Sequence, residues 1–196
     1  MYVGNGTNKI HLSNFKPSQI TTVYSDNELD RGEPIVEIGA YALMPNHVHF
    51  ILREIRNHGT ALFMQKVFTG YTMYFNKGHG RTGALFSGTF KSKHLENDRY
   101  LKRAIPYTLL NPVELLDPHW KSGNGLSSAL EERILEYPYS SLHEFLGIER
   151  SQSKIVNADL RSYYDKIPTL KEMVIEAQEY YREHAQEEPR RLNLPE

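Results

Sequence analysis

Apolar and polar positions alternate in two adjacent runs, 34–43 (PIVEIGAYAL) and 47–54 (HVHFILRE), as strands require. Met44, Pro45 and Asn46 between them supply turn chemistry, so the two runs are expected to pair as an antiparallel hairpin. Over 60–76 the period becomes helical, with Phe63, Val67 and Tyr74 on one row and Met64, Phe68, Tyr71 and Phe75 on the next. This aromatic stripe reads first as core, and Lys77-Gly78 stops the helix. The loop GHGRTG follows, then an extended basic segment, ALFSGTFKSKHLE. A second helix is expected over about 98–110, capped by Asn97 or Asp98. Asn111-Pro112 should end it, because a residue before proline is pushed out of the α region. Further on come a loop at 117–125, a short helix near 126–136, the segment YPYSSLHEFLG and a polar connection at 150–155. A charged amphipathic helix over about 169–187 closes the chain, with a tail EEPRRLNLPE. Before residue 34 the signals are weak: turns in YVGNGTNKIHL and a short strand in ITTVYS.

Composition adds limits. A chain of 196 residues can hold one domain, or one domain with an appended segment, around a sizeable core. Its 39% hydrophobic and 24% charged content fits a soluble globular protein. Neither a membrane span nor a secretory leader is expected, and the absence of cysteine fits a cytoplasmic protein. The absence of cysteine leaves any metal to nitrogen and oxygen ligands. The net charge of −1 hides an asymmetry: Lys77 to Arg103 carries seven Lys/Arg against Glu96 and Asp98. Such a basic stretch is either a phosphate-binding face or an ordinary solvated surface.

The chemistry starts from His47 and His49. Side chains at i and i+2 leave a strand on the same face, so the two imidazoles point one way and Val48 and Phe50 the other. The pair can converge on one divalent metal, or be two polar residues on a solvated face. Sixty residues on, Tyr107 and Asn111 are spaced i, i+4 and share a helix face. A tyrosine can be a covalent nucleophile that conserves the energy of a broken phosphodiester, and an amide oxygen can be a third, hard metal ligand. Tyr107 can equally be a packing residue, one of 13 tyrosines. Pro106 just before it marks the position as unusual for a helix interior.

The motifs AYALMPNHVHFIL, FMQKVFTGYTMYFNKGHGRTGALFSGTFKSKHL and YTLLNPVELL, in this order, resemble the single-tyrosine HUH transposases of the IS200/IS605 type. YPYSSLHEFLG resembles the W/Y-x-SS-Y segment of the REP-associated tyrosine transposase branch, without the usual Trp. The likeness spans roughly residues 34–148; residues 1–33 lack the family's opening strand and first helix. It implies an α+β fold, a ferredoxin-like sandwich with an antiparallel sheet and helices on one face. A catalytic domain over 1–150 and a C-terminal helical extension over 151–196 follow from it.

In chemistry, the resemblance implies a DNA endonuclease and transposase that cuts and rejoins single-stranded DNA. Tyr107 would be the nucleophile, with Mg²⁺ or Mn²⁺ held by His47, His49 and Asn111. Arg81, Lys91, Lys93 and Lys102 are the candidate phosphate contacts. Phe86, Phe90 or Tyr74 could stack on unpaired bases. Because metal-binding imidazoles must be neutral, activity should fall below about pH 6.5. The partners implied are single-stranded or hairpin DNA and no membrane, in a monomer or homodimer. The competing readings are a domesticated, non-cleaving DNA-binding protein that keeps the fold, and a metal-dependent hydrolase using bound water.

Overall fold

The computed structural model describes residues 1–2, 4–8, 10, 30–123 and 125–183. These residues make a mixed α+β protein. Strands β1 (Val36–Leu43) and β2 (Val48–Glu54) form a two-stranded antiparallel sheet. Helices α1 (Gly59–Gly78), α2 (Asp98–Leu110), α3 (Val113–Leu116), α4 (Ser128–Leu135), α5 (Leu142–Phe145) and α6 (Leu170–Glu183) follow. The hairpin is the one the alternation predicts, closed by a bond from the Met44 N–H to the His47 carbonyl at 2.8 Å. One isolated antiparallel bridge, Ala42 to Ser140, adds to the sheet. A ferredoxin-like sandwich needs more strands than these, and ITTVYS lies outside the described residues. No helix among the described residues is long and apolar enough to cross a membrane.

The chain divides into two compact units. The first takes Met1–Ile38, Leu52–Phe90 and Ser151–Ala158. Its buried side chains include Ile35, Val36, Ile38, Phe63, Met64 and Ile155. Asn5 fixes the start of β1: its amide oxygen accepts from the Ile35 and Val36 N–H groups at 3.0 Å, and its amide nitrogen donates to the Val36 carbonyl at 2.8 Å. Helix α1 is opened by Glu54, whose carboxylate accepts from the His58 and Thr60 N–H groups. The core reading of the α1 stripe holds only for its first turns. Phe63 and Met64 are buried, whereas Tyr71, Met73 and Tyr74 are exposed. Residues 84–96 form no strand, so the basic segment is irregular rather than sheet-paired.

The second unit takes Gly39–Ile51, Lys91–Arg150 and Asp159–Glu196. Its core gathers Ala40 and Ile51 of the hairpin with Ile105, Leu109 and Leu110 of α2, Trp120, Ile134, Leu142, Phe145, and Leu170, Met173 and Val174 of α6. Helix α6 packs on α2 and on the turn Trp120–Ser122. The serines of YPYSS have a structural task here. The Ser141 hydroxyl accepts from the Tyr41 N–H at 2.8 Å, the Ser141 N–H donates to the Tyr41 carbonyl, and both serines are buried beside β1. Arg150 ties the segment down through Glu144 at 2.7 Å and the Ser140 carbonyl.

Helix α2 ends at Leu110, directly before Asn111-Pro112, as expected, but not by the expected backbone change. Asn111 (φ −50°, ψ −42°) and Pro112 (φ −60°, ψ −19°) form a turn that keeps α-region angles, and the short helix α3 follows it. The steric penalty before proline is a preference, and burial of Leu110 and Val113 in the same core overrides it.

Candidate active site

Strand alternation places His47, His49 and Ile51 on one side of β2. Ile51 lies in the core of the second unit, His49 is half-buried and His47 is exposed, so this row climbs from the core to its rim. The two imidazoles meet edge to face, ring centroids 4.8 Å apart at 86°. Asn46 in the turn orients the outer one. Its amide oxygen lies 2.7 Å from His47 Nδ1, a pairing that suits the tautomer with Nδ1 protonated and the Nε2 lone pair available.

His49 Nε2 is buried and has no hydrogen-bond partner. Burial first, and the neighbouring His47 second, lower the His49 pKa from 6.5 to about 4. A buried nitrogen with no partner is costly, and a metal ion or a substrate donor would satisfy it. The solvated-face reading therefore does not describe His49. Its imidazole also stays neutral well below the pH expected of an ordinary histidine.

That depressed pKa has a sign in stability. Between about pH 6.5 and pH 4 the unfolded chain takes up a proton at His49 that the folded chain refuses. This contribution is thus present above pH 6.5 and lost as pH falls through that window. We expect a cost of about 1–2 kcal/mol at pH 4, below the full linkage value because the ring is partly solvated. Thermal unfolding from pH 7 to pH 4 should show a shallower decline for His49→Gln than for wild type. Parallel curves would contradict the assignment.

Helix α2 presents Tyr107 to this row. Asn97 caps the helix, its side-chain oxygen accepting from the Tyr100 N–H at 3.1 Å, as the sequence predicts. Ile105 and Leu109 enter the core, which sets the rotation of the helix and brings the Tyr107 ring edge-on to His49, centroids 5.6 Å apart at 88°. Pro106 has no N–H to give the Lys102 carbonyl, four residues earlier. The Tyr164 hydroxyl donates to that carbonyl instead, at 3.3 Å. Burial raises the Tyr164 pKa to about 12, with Glu176 adding to it, so the phenol remains a donor. Tyr164→Phe should strip this bond and cost about 1 kcal/mol, a fall of roughly 2–4 °C in Tm. An unchanged Tm would mean that water serves the carbonyl equally well.

Asn111 sits one turn beyond Tyr107. Its amide nitrogen donates to the Tyr107 carbonyl at 2.6 Å, which holds the side chain to that turn and leaves Oδ1 as the remaining acceptor. Tyr181 of α6 lies near the same turn: burial lifts its pKa to about 12, followed by the influence of Tyr107, Glu114 and Tyr180. Its ring also packs edge-on to Trp120, centroids 5.9 Å apart.

The structure thus brings His47, His49 and Tyr107 into ring contact and attaches Asn111 to the Tyr107 turn. The basic candidates are spread out. Arg81 is exposed in the first unit, while Lys91, Lys93 and Lys102 are exposed in the second. Each of three rests near an aromatic ring: Arg81 by Phe75, Lys93 by Tyr100 and Lys102 by Tyr164, at 5.6–5.9 Å. Among the described residues no group of three or more His, Asp or Glu could hold a metal. Two imidazoles therefore need an amide oxygen or a substrate phosphate oxygen to complete a site.

Sequence reasoning missed Asn46, Tyr164 and Tyr181. The first was legible as the amide directly before His47. The second was half-legible, because a proline inside a helix always orphans a carbonyl, though its partner comes from 62 residues away.

No protein-family model, curated protein or solved structure matches this chain.

Proposed function

We propose that this protein is a metal-dependent DNA nuclease and transposase of the single-tyrosine HUH type, acting on single-stranded DNA, with its catalytic unit a ferredoxin-like sandwich. One observation carries the reading. Two imidazoles and a tyrosine from distant parts of the chain meet in ring contact, and the central imidazole has a buried nitrogen without a partner.

Tyr107 Oη attacks the scissile phosphorus. The P–Oη bond forms, the bond to the 3′ oxygen breaks, the phenol proton passes to water and the departing 3′ oxygen takes one up. The product is a 5′-phosphotyrosine and a free 3′-hydroxyl, which reverses the step when strands are rejoined. The bond energy is kept in the ester, so no nucleotide cofactor is needed. His47 Nε2, His49 Nε2 and Asn111 Oδ1 would hold the Mg²⁺ or Mn²⁺, which supplies Lewis-acid polarisation of the phosphate when bound. Asn46 keeps His47 in the ligating tautomer, and the half-buried setting of His49 keeps its ring neutral for that role.

Incubation with labelled single-stranded hairpin DNA and Mn²⁺, followed by denaturing electrophoresis, tests the reading. A labelled band at the protein's mass supports it. Cleavage products without such a band would favour hydrolysis by water. Binding with neither would favour a non-cleaving DNA-binding protein.

A further inference from the structure

The outer half of α1 in the first unit carries an aromatic surface that the chemistry at Tyr107 does not use. Phe68 stacks on Phe86 with centroids 4.4 Å apart, and Phe75 stacks on His79 at 4.0 Å and 17°. Tyr71 joins the two pairs, 6.1 Å from Phe86 and 6.0 Å from Phe75, and is 47% exposed. The Arg81 guanidinium lies 5.8 Å from the Phe75 ring. The loop after α1 is fastened in place: the His79 and Arg81 N–H groups donate to the Phe75 and Asn76 carbonyls, and the Asn76 amide donates to the Gly83 carbonyl at 2.8 Å. Gly80 and Gly83 take positive φ there, with open space where a side chain would stand.

Charge says what such a surface suits. From residue 55 to residue 90 there is no Asp or Glu, and of the four cations Lys77 and Arg81 belong to the aromatic end of α1, Arg56 lying at its other end and Lys66 bonding the Gly6 and Asn8 carbonyls. The preceding acid, Glu54, is at the opposite end of α1 with its carboxylate engaged by two backbone N–H groups. A cationic face repels a second copy of itself and attracts a polyanion. Flat rings edged by cations are what unpaired bases stack on, whereas a base-paired duplex hides those faces.

We propose that the Phe68–Tyr71–Phe75–Phe86 surface is a base-stacking platform that anchors unpaired single-stranded DNA. Tyr71 supplies the exposed ring and Arg81 a cation beside it. The choice of DNA over RNA rests on the proposed function; the stacking itself does not.

Fluorescence anisotropy on the full chain tests it, with a labelled oligothymidine of about 20 nucleotides and a duplex of equal length. Tyr71→Ala should weaken single-strand binding roughly fivefold or more, Tyr71→Trp should restore it, and duplex affinity and the salt slope should not move. Tyr71→Ala should still form the covalent adduct at saturating DNA. Unchanged single-strand affinity in Tyr71→Ala overturns the platform, as does equal loss for both probes. A change in sedimentation without a change in DNA affinity overturns it in favour of a self-interface. Tighter displacement by RNA of matching sequence reassigns it to RNA. If wild type forms no adduct while the Tyr71 effect holds, only the cleavage reading falls. If the adduct forms and Tyr71→Ala is silent, only the platform falls.

Discussion

Tyr107→Phe abolishes cleavage and leaves DNA affinity within a few-fold of wild type. The substitution removes one oxygen and keeps the ring, so the edge-on packing against His49 and the course of α2 survive. What disappears is the nucleophile. Tyr181, the tyrosine near the same turn, belongs to α6 and is held protonated by burial, its pKa near 12, which makes it a poor substitute. Gel shift and denaturing electrophoresis on the same samples separate binding from chemistry. A Tyr107→Phe protein that still cuts through an adduct would move the nucleophile elsewhere, with Tyr100 next to test.

The second large effect concerns the metal. His49→Ala should lose cleavage in Mg²⁺ and Mn²⁺ alike, together with the thermal stabilisation that metal gives wild type. A ligand at a hundred times its Kd adds about 2.7 kcal/mol to a fold that binds it, roughly 5–10 °C in Tm for a chain of this size. Val48→Ala is the control. Val48 faces the other side of β2 and is half-buried, so it costs about 1 kcal/mol of stability while the metal response survives. Removing metal with a chelator should return wild type to the His49→Ala melting temperature, corrected for the variant's own shift. A metal shift retained in His49→Ala and lost in Val48→Ala would mean that the histidines hold nothing.

Much of the architecture around this site is local and so was legible. The alternation through His47, His49 and Ile51 sets which side chains share a face, and the Asn97 cap with the helical row through Ile105 and Leu109 sets the helix that carries Tyr107. The i, i+4 spacing of Tyr107 and Asn111 holds in the structure, down to a bond between them. The misses are tertiary. Whether Phe68, Tyr71 and Phe75 are buried depends on what the rest of the chain lays over α1, and periodicity carries no information about that. The end of α2 at Leu110 was legible, but the α-region angles of Asn111 before Pro112 were not, because burial of Leu110 and Val113 competes with a local backbone preference. The loss of hydration at His49 is tertiary, since the ring is half-buried with Tyr107 of α2 edge-on to it.

The central claim is that the phosphate is transferred to one particular oxygen, so the most direct measurement locates it. Wild type incubated with single-stranded DNA and Mn²⁺, then digested with nuclease and protease, yields peptides for mass spectrometry. The account predicts a residual nucleotide mass on the peptide containing Tyr107 and on no other, absent from Tyr107→Phe and from His49→Ala. DNA cleaved with every tyrosine peptide unmodified, or the nucleotide mass on a different tyrosine, would contradict it.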